Sequence, residues 1–316
     1  MSADGRHAAA VTPAQATTAS GVIHDIGYRG YGGPRLGRAQ IVRALCWHSL
    51  RAAFGIGRGA KAKIVPILTF AIMCLPALVS AAAIAVSSHH QRLVSYDTYV
   101  PQLRILVLLV FIAAQAPELV SRDLRSHCLP LYFARPIRCI DYPAAKLAAL
   151  VIALLAMIEI PLLLLYLGTI TQVHGGSAIW HETRALIPGL LLGVAWALVL
   201  AGLGLLLASL SGRRAYATGA IAIFFFLSLT LATLLTQIGE HGLGPASSGT
   251  SALARLSGLL SPFTDLDGLR MWLGGTTRGI IPDPGSYGPL YGLMFLVFLA
   301  AGAGGLIARY RKVGVA

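Results

Sequence analysis

The sequence predicts an all-α integral membrane protein: six transmembrane helices preceded by an N-terminal interfacial helix, with both termini cytoplasmic. Three observations predict it. The chain of 316 residues is 56% hydrophobic and only 12% charged, against about 25% charged in an ordinary soluble domain. Its mean hydropathy is +0.73, and its apolar residues gather into six runs of roughly bilayer-spanning length. Its 25 Lys and Arg against 12 Asp and Glu give a net charge of +13, and the basic residues lie mostly between those runs. This composition excludes a disordered, collagen-like or ordinary soluble chain.

Residues 1–37 read as a disordered, then turn-rich, cytoplasmic tail. The first twenty are rich in Ala, Thr, Ser and Gly, and 23–34 mix glycines with aromatic and basic residues. Residues 38–63 are predicted to hold the interfacial helix. Val42, Cys46, Trp47, Leu50 and Phe54 form an apolar arc interrupted by Arg43, suited to lying at a membrane surface. The plainer alternative is a connecting helix packed on protein.

The six-span domain covers 64–316. A helix needs about 20 apolar residues to cross the hydrocarbon core. The spans are predicted at about 64–86, 103–119, 147–170, 186–210, 217–237 and 288–308. The first is about 34 Å long at 1.5 Å per residue. Arg104 weakens the second and several glycines weaken the sixth. No secretory signal peptide is expected, because the residues before the first apolar run are too many and too polar for an n-region.

With the N-terminus inside, the inner segments 1–63, 118–146, 211–216 and 309–316 hold 19 of the 25 Lys and Arg. That asymmetry predicts cytoplasmic termini on a multi-pass protein of the cell (plasma or inner) membrane. The positive charge then records orientation rather than a basic face for nucleic acid, so lipid is an expected partner and nucleic acid is not.

Two short amphipathic pieces, separated by Ser261-Pro262, lie in the outer segment between the fifth and sixth spans. They are too short to span. They could lie at the outer interface, dip into the bilayer as a cap over a translocation route, or pack as a loop. Within span four, Gly189, Gly193, Ala197 and Ala201 recur every four residues. Such a small-residue ridge admits a close helix neighbour, more often within one chain than between chains.

Signs of catalysis are absent. There is no HExxH, GxSxG or carboxylate pair on one helix face, and the four cysteines form no CxxC. Buried thiols are the expected state of the cysteines, and no catalytic or metal-binding residue is assigned. The stretch Gly55 to Lys61 resembles a phosphate loop but lacks the Gly-Lys-Ser/Thr ending. No ATPase domain fits beside six spans, so any energy must come from a partner. Glu159 lies halfway along the third span, ahead of Pro161. An acid at a helix centre costs about 2.5–3.5 kcal/mol on insertion scales. It should therefore face other helices or water, either as a structural hydrogen-bonded group or as a proton or substrate site. Gln115 in span two is a weaker case of the same kind.

The segment 118–146 is the most informative. Glu118 leaves span two and Arg122-Asp123 follow. A turn with Leu129, Pro130, Leu131 and Tyr132 leads to Ala134-Arg135-Pro136, and Tyr142 and Lys146 enter span three. On physical grounds its apolar residues need a protein partner or the membrane surface, and Arg135-Pro136 marks a break between helical pieces. The pattern resembles the permease (transmembrane) subunit of ABC type-2 transporters, the exporter-like class. With the span layout, the resemblance covers about residues 38–316. Ser126-His127-Cys128 departs from it, where the family commonly has Gly-Thr.

The resemblance implies a dimer of permeases, identical or different, paired with nucleotide-binding ATPase subunits. ATP and Mg would sit on those partners, with no cofactor on this chain. It implies that the 118–146 loop docks into the ATPase through Arg122, Asp123, Arg125, Leu129, Leu131, Tyr132, Arg135, Pro136 and Arg138. The alternative expectation is an ATP-independent channel or secondary transporter using Glu159. Neither names a substrate.

Overall fold

Backbone amides in hydrocarbon find partners only within a helix or a closed barrel. Long runs of Leu, Ala, Ile and Val without strand-length alternation favour the helix. A computed structural model of the chain describes residues 33, 37–86, 95–99, 105–126, 132, 137–173, 175–241, 251–277 and 279–313. The predicted tail therefore lies outside the described residues, apart from Gly33 and Gly37.

Every regular element among the described residues is helical. In order they are α1 (Arg38–Ala53), α2 (Ala60–Val86), α3 (Ile105–Arg125), α4 (Asp141–Ile170), α5 (Gly176–Ser209) and α6 (Arg214–His241). There follow α7 (Ala252–Ser257), a 3-10 turn (Gly258–Leu260), α8 (Pro262–Trp272) and a second 3-10 turn (Gly285–Tyr287). The last rod is α9 (Gly288–Leu299), a π-helical turn (Ala300–Gly304) and α10 (Gly305–Val313). Six rods are long and apolar enough to cross a membrane: α2 to α6, and Gly285–Lys312. The protein is a multi-pass membrane protein, as the apolar runs predict.

Several helices overrun their apolar runs. α4 begins at Asp141 rather than near 147, and α5 at Gly176 rather than near 186. Apolarity marks where hydrocarbon is tolerated, whereas a hydrogen-bonded helix continues until a turn stops it.

α5 is the central element, packing on α3, α4, α6, α8 and the last rod. Its small-residue ridge is buried within the chain. A Cβ on Gly189 would meet Tyr96 and Leu162, and one on Gly193 would meet Glu159 and Ile158, so α4 is the close neighbour. On another face, Gly202 meets Gly302 of the π-helical turn. A Cβ at Gly302 would fall 2.8 Å from the Gly202 carbonyl carbon. Trp196 of α5 is fully buried, stacked on Phe263 of α8 with ring centroids 5.6 Å apart.

The two outer pieces pack on the bundle. α8 is buried from Pro262 to Met271, held among α5, α6 and α9. Ser261 caps it, accepting from the Phe263 N–H, with Pro262 at the first helical position. α7 rests on α6, where the Thr236 and Ser257 hydroxyls lie 2.7 Å apart. α1 packs on α4 and α3, burying Leu45, Ser49 and Ala53 while Trp47 is 61% exposed. Gly55 and Gly57 take positive φ in the turn that joins α1 to α2. That turn is the role of the glycine stretch that mimics a phosphate loop.

Candidate functional site

Acids and bases are interspersed along 118–146, and the fold ties each acid at the roots of this segment to a base from another element. Glu118, in the last two turns of α3, has a side chain only 5% exposed. Its Oε1 lies 2.7 Å from Nη2 of Arg58, in the turn before α2, and 3.4 Å from Nη1 of Arg122. Its Oε2 lies 2.9 Å from Nη1 of Arg214, at the start of α6. One carboxylate thus joins α3 to the turn that leads into α2 and to the beginning of α6.

Asp123, just over one turn further on, pairs with Lys146 of α4 at 2.8 Å and accepts a hydrogen bond from the Tyr142 hydroxyl at 2.9 Å. Lys146 is 6% exposed and sits over the Tyr142 ring. That ring packs between Tyr132 and Tyr310 of α10, with centroids 5.4 Å and 5.1 Å away. Asp141, opening α4, accepts two hydrogen bonds from Arg38 of α1 at 2.6 and 2.5 Å, and one from the Arg138 N–H at 2.8 Å. Ser121 donates to the Ala208 carbonyl of α5 at 2.9 Å. Five of the six spans, the turn that leads into α2, and α1 therefore meet this belt, through an ion pair, a hydrogen bond or a ring contact.

Of the residues singled out in the sequence, Asp123 and Tyr132 lie inside the belt. Arg122 stands on its rim, 67% exposed. Arg125 and the Arg138 side chain are exposed. Leu129, Leu131, Arg135 and Pro136 lie outside the described residues. Glu118, Arg58, Arg214, Asp141 and Lys146 form the belt but were not among those residues. Glu118 and Lys146 carried a local signal, an acid and a base placed where an apolar run gives way to a loop, whereas Arg58 and Arg214 counted only toward orientation.

In the interior, both Glu159 carboxylate oxygens are buried and have no hydrogen-bond partner in the structure. They lie against Gly193, where a Cβ would fall 2.1 Å from Oε1. Gln115 is buried on α3.

A second polar cluster, unforeseen in the sequence, lies at the far end of α8. Arg270, 2% exposed, donates from Nε and Nη2 to Oδ1 of Asp267, which is 0% exposed. Its Nη1 donates to Asp97 Oδ2 at 2.9 Å and to the Thr276 carbonyl at 2.7 Å. Thr276 donates to Asp97 Oδ2 from both its N–H and its hydroxyl, at 2.8 and 3.0 Å. Burial alone would raise the Asp97 carboxyl, but the Thr276 and Arg270 donors hold it below its ordinary value. Burial pushes Asp267 up, against the opposing pull of Arg270 and of backbone N–H groups. Asp265, fully buried with neither oxygen partnered, is pushed up to about 8 by burial.

Among the described residues no group of three or more His, Cys, Asp or Glu could hold a metal ion. Cys46, Cys74 and Cys139 are free thiols. No protein-family model and no curated protein matches this chain.

Proposed function

We propose that the chain is the transmembrane permease subunit of an ATP-driven ABC type-2 exporter. It forms the translocation path and couples to a separate nucleotide-binding ATPase subunit through the 118–146 segment. One observation carries this reading: both roots of that segment end in ion-pair hubs tied to the neighbouring spans. Glu118 joins α3 to the turn before α2 and to α6, Asp123 joins α3 to α4, and Asp141 joins α4 to α1. A push on the segment is passed to the spans through short, charged contacts whose acids are largely shielded from water. The exposed arginines Arg122, Arg125 and Arg138 are then free to meet the partner.

On this reading the belt end of the bundle is cytoplasmic, as are both termini, in a plasma or inner membrane. The basic residues cluster on that side as the positive-inside rule requires. α1 lies along the inner surface, with exposed Trp47 at headgroup level. A second permease, identical or different, completes the pathway. ATP and Mg belong to the ATPase. The reading expects an ATPase gene beside this one, and the test is affinity co-purification of that ATPase, for wild type and for Arg122→Glu combined with Arg135→Glu. Retention by the wild type and loss in the variant is the expected result. Failure of any ATPase to associate, or undiminished association of the variant, overturns the proposal.

One observation favours a second reading, an ATP-independent channel or secondary transporter: the unpartnered, buried Glu159 carboxylate. It requires pH-dependent flux in proteoliposomes of this chain alone, abolished by Glu159→Gln. Flux that is absent without an ATPase rejects it.

A further inference from the structure

Between α5 and the turn that follows α8 lies a cavity of about 530 Å³, within the range of roughly 300–1,000 Å³ common for small-molecule sites. Pro188, Leu192 and Ala195 of α5 and Leu269 of α8 make its apolar wall. Asp97, Arg270 and Thr276 make its polar end. Leu191 and Leu273, 66% and 71% exposed, also line it.

The polar end is not neutral. Among the described residues, Asp97 and Asp267 share the single guanidinium of Arg270, which leaves one negative charge uncompensated within this described cluster. Arg270 has a side chain 2% exposed, with Nε, Nη1 and Nη2 all donating to Asp267, Asp97 or Thr276. It has little to offer an incoming anion. Asp97 differs. Its side chain is 14% exposed, and all the bonds it accepts fall on Oδ2, leaving Oδ1. The same donors keep its carboxyl ionised.

We propose that this cavity binds an amphipathic cation, its apolar body against α5 and α8 and its ammonium group hydrogen-bonded to Asp97 Oδ1. A charge-assisted bond in a partly desolvated site is the strong kind. The exposed leucines give the apolar body a lateral route from the bilayer. An anionic head would meet the Asp97 carboxylate beside an Arg270 already engaged by described partners, and a neutral head would forgo the charge-assisted bond. This site stands independently of any ATPase coupling.

The test uses the full chain in nanodiscs of zwitterionic lipid. Dodecylammonium is titrated calorimetrically after subtraction of empty discs, with dodecanol and dodecyl sulfate as neutral and anionic comparisons. Saturable dodecylammonium binding, at least tenfold tighter than either comparison, is expected. Asp97→Asn keeps an acceptor for Arg270 and Thr276, and should weaken dodecylammonium binding about tenfold or more while leaving dodecanol unchanged. Ala195→Phe fills the apolar part without touching the polar network and should remove binding, with the melting temperature near wild type. The proposal is overturned by dodecyl sulfate binding as tightly as dodecylammonium, by no saturable binding, or by unchanged affinity in Ala195→Phe. Unchanged affinity in a folded Asp97→Asn protein equally overturns it.

Discussion

Glu118→Gln is the perturbation that best separates the belt from a set of incidental surface pairs. The substitution keeps the shape and removes the carboxylate that, among the described residues, faces Arg58, Arg122 and Arg214. Three guanidinium groups, until then neutralised in part by one acid, are left facing one another. Removing one partner of a fully buried pair costs about 3–5 kcal/mol. Here the acid is 5% exposed but its partners are 29%, 67% and 60% exposed, so solvent screens part of the effect. An expectation of about 2–3 kcal/mol follows. At about 2–4 °C per kcal/mol, that is a fall of about 4–12 °C in melting temperature. Tryptophan fluorescence during heating in detergent measures it. Arg58→Ala should cost more than Arg214→Ala, because its partner distance is shorter and it is less exposed. Arg122→Ala, at 3.4 Å and mostly exposed, should cost less than about 0.5 kcal/mol. If Glu118→Gln melts within a degree of wild type, or Arg122→Ala costs as much as Arg58→Ala, the belt does not hold the helix ends together and the mechanical argument for coupling fails with it.

Three further outcomes follow from the interior. Gly193→Ala places a Cβ 2.1 Å from Glu159 Oε1 and 3.1 Å from Ile158 Cγ2; it should destabilise by about 1–3 kcal/mol, and adding Glu159→Ala should restore most of that in a double-mutant cycle of melting temperatures. Arg270→Met strands the carboxylates of Asp267 and Asp97 without their cation, and should cost about 3–5 kcal/mol, read as lost monodisperse protein or a lowered melt. Asp265 has a carboxyl raised by burial from 3.8 in the unfolded chain to about 8 in the fold. Its contribution is fully present below pH 3.8 and is lost as pH rises toward about 8. Melting temperature should therefore decline from about pH 5 to pH 8, and Asp265→Asn should flatten that decline.

The spans were legible because membrane insertion acts on composition. A run such as 64–86 declares itself residue by residue, whatever its neighbours do. The ridge on α5 was legible for a related reason, since Gly189, Gly193, Ala197 and Ala201 share one helix face and only close packing uses such a face. The belt was half legible. Glu118 and Lys146 stood at suspicious places, but their partners are far off in sequence. Arg58 and Arg214 looked like topology signals, and nothing local says that both reach the same carboxylate. The Arg270 cluster was hidden altogether. Arg270 and Asp97 are 173 positions apart, and α8 read as a short amphipathic piece able to lie on a surface, sink or pack.

The sequence by itself determined that this is an all-helical membrane chain with six crossing segments. Hydropathy and helix periodicity are local properties, and in the bilayer the backbone satisfies its hydrogen bonds only in a helix or a closed barrel, of which long unalternating apolar runs select the helix. Only the tertiary structure decided which charges neutralise which, that α8 is enclosed by the bundle, and that a carboxylate oxygen lines an apolar cavity. Those facts depend on distances between helices, and a charge on one helix specifies the need for a partner without specifying who meets it.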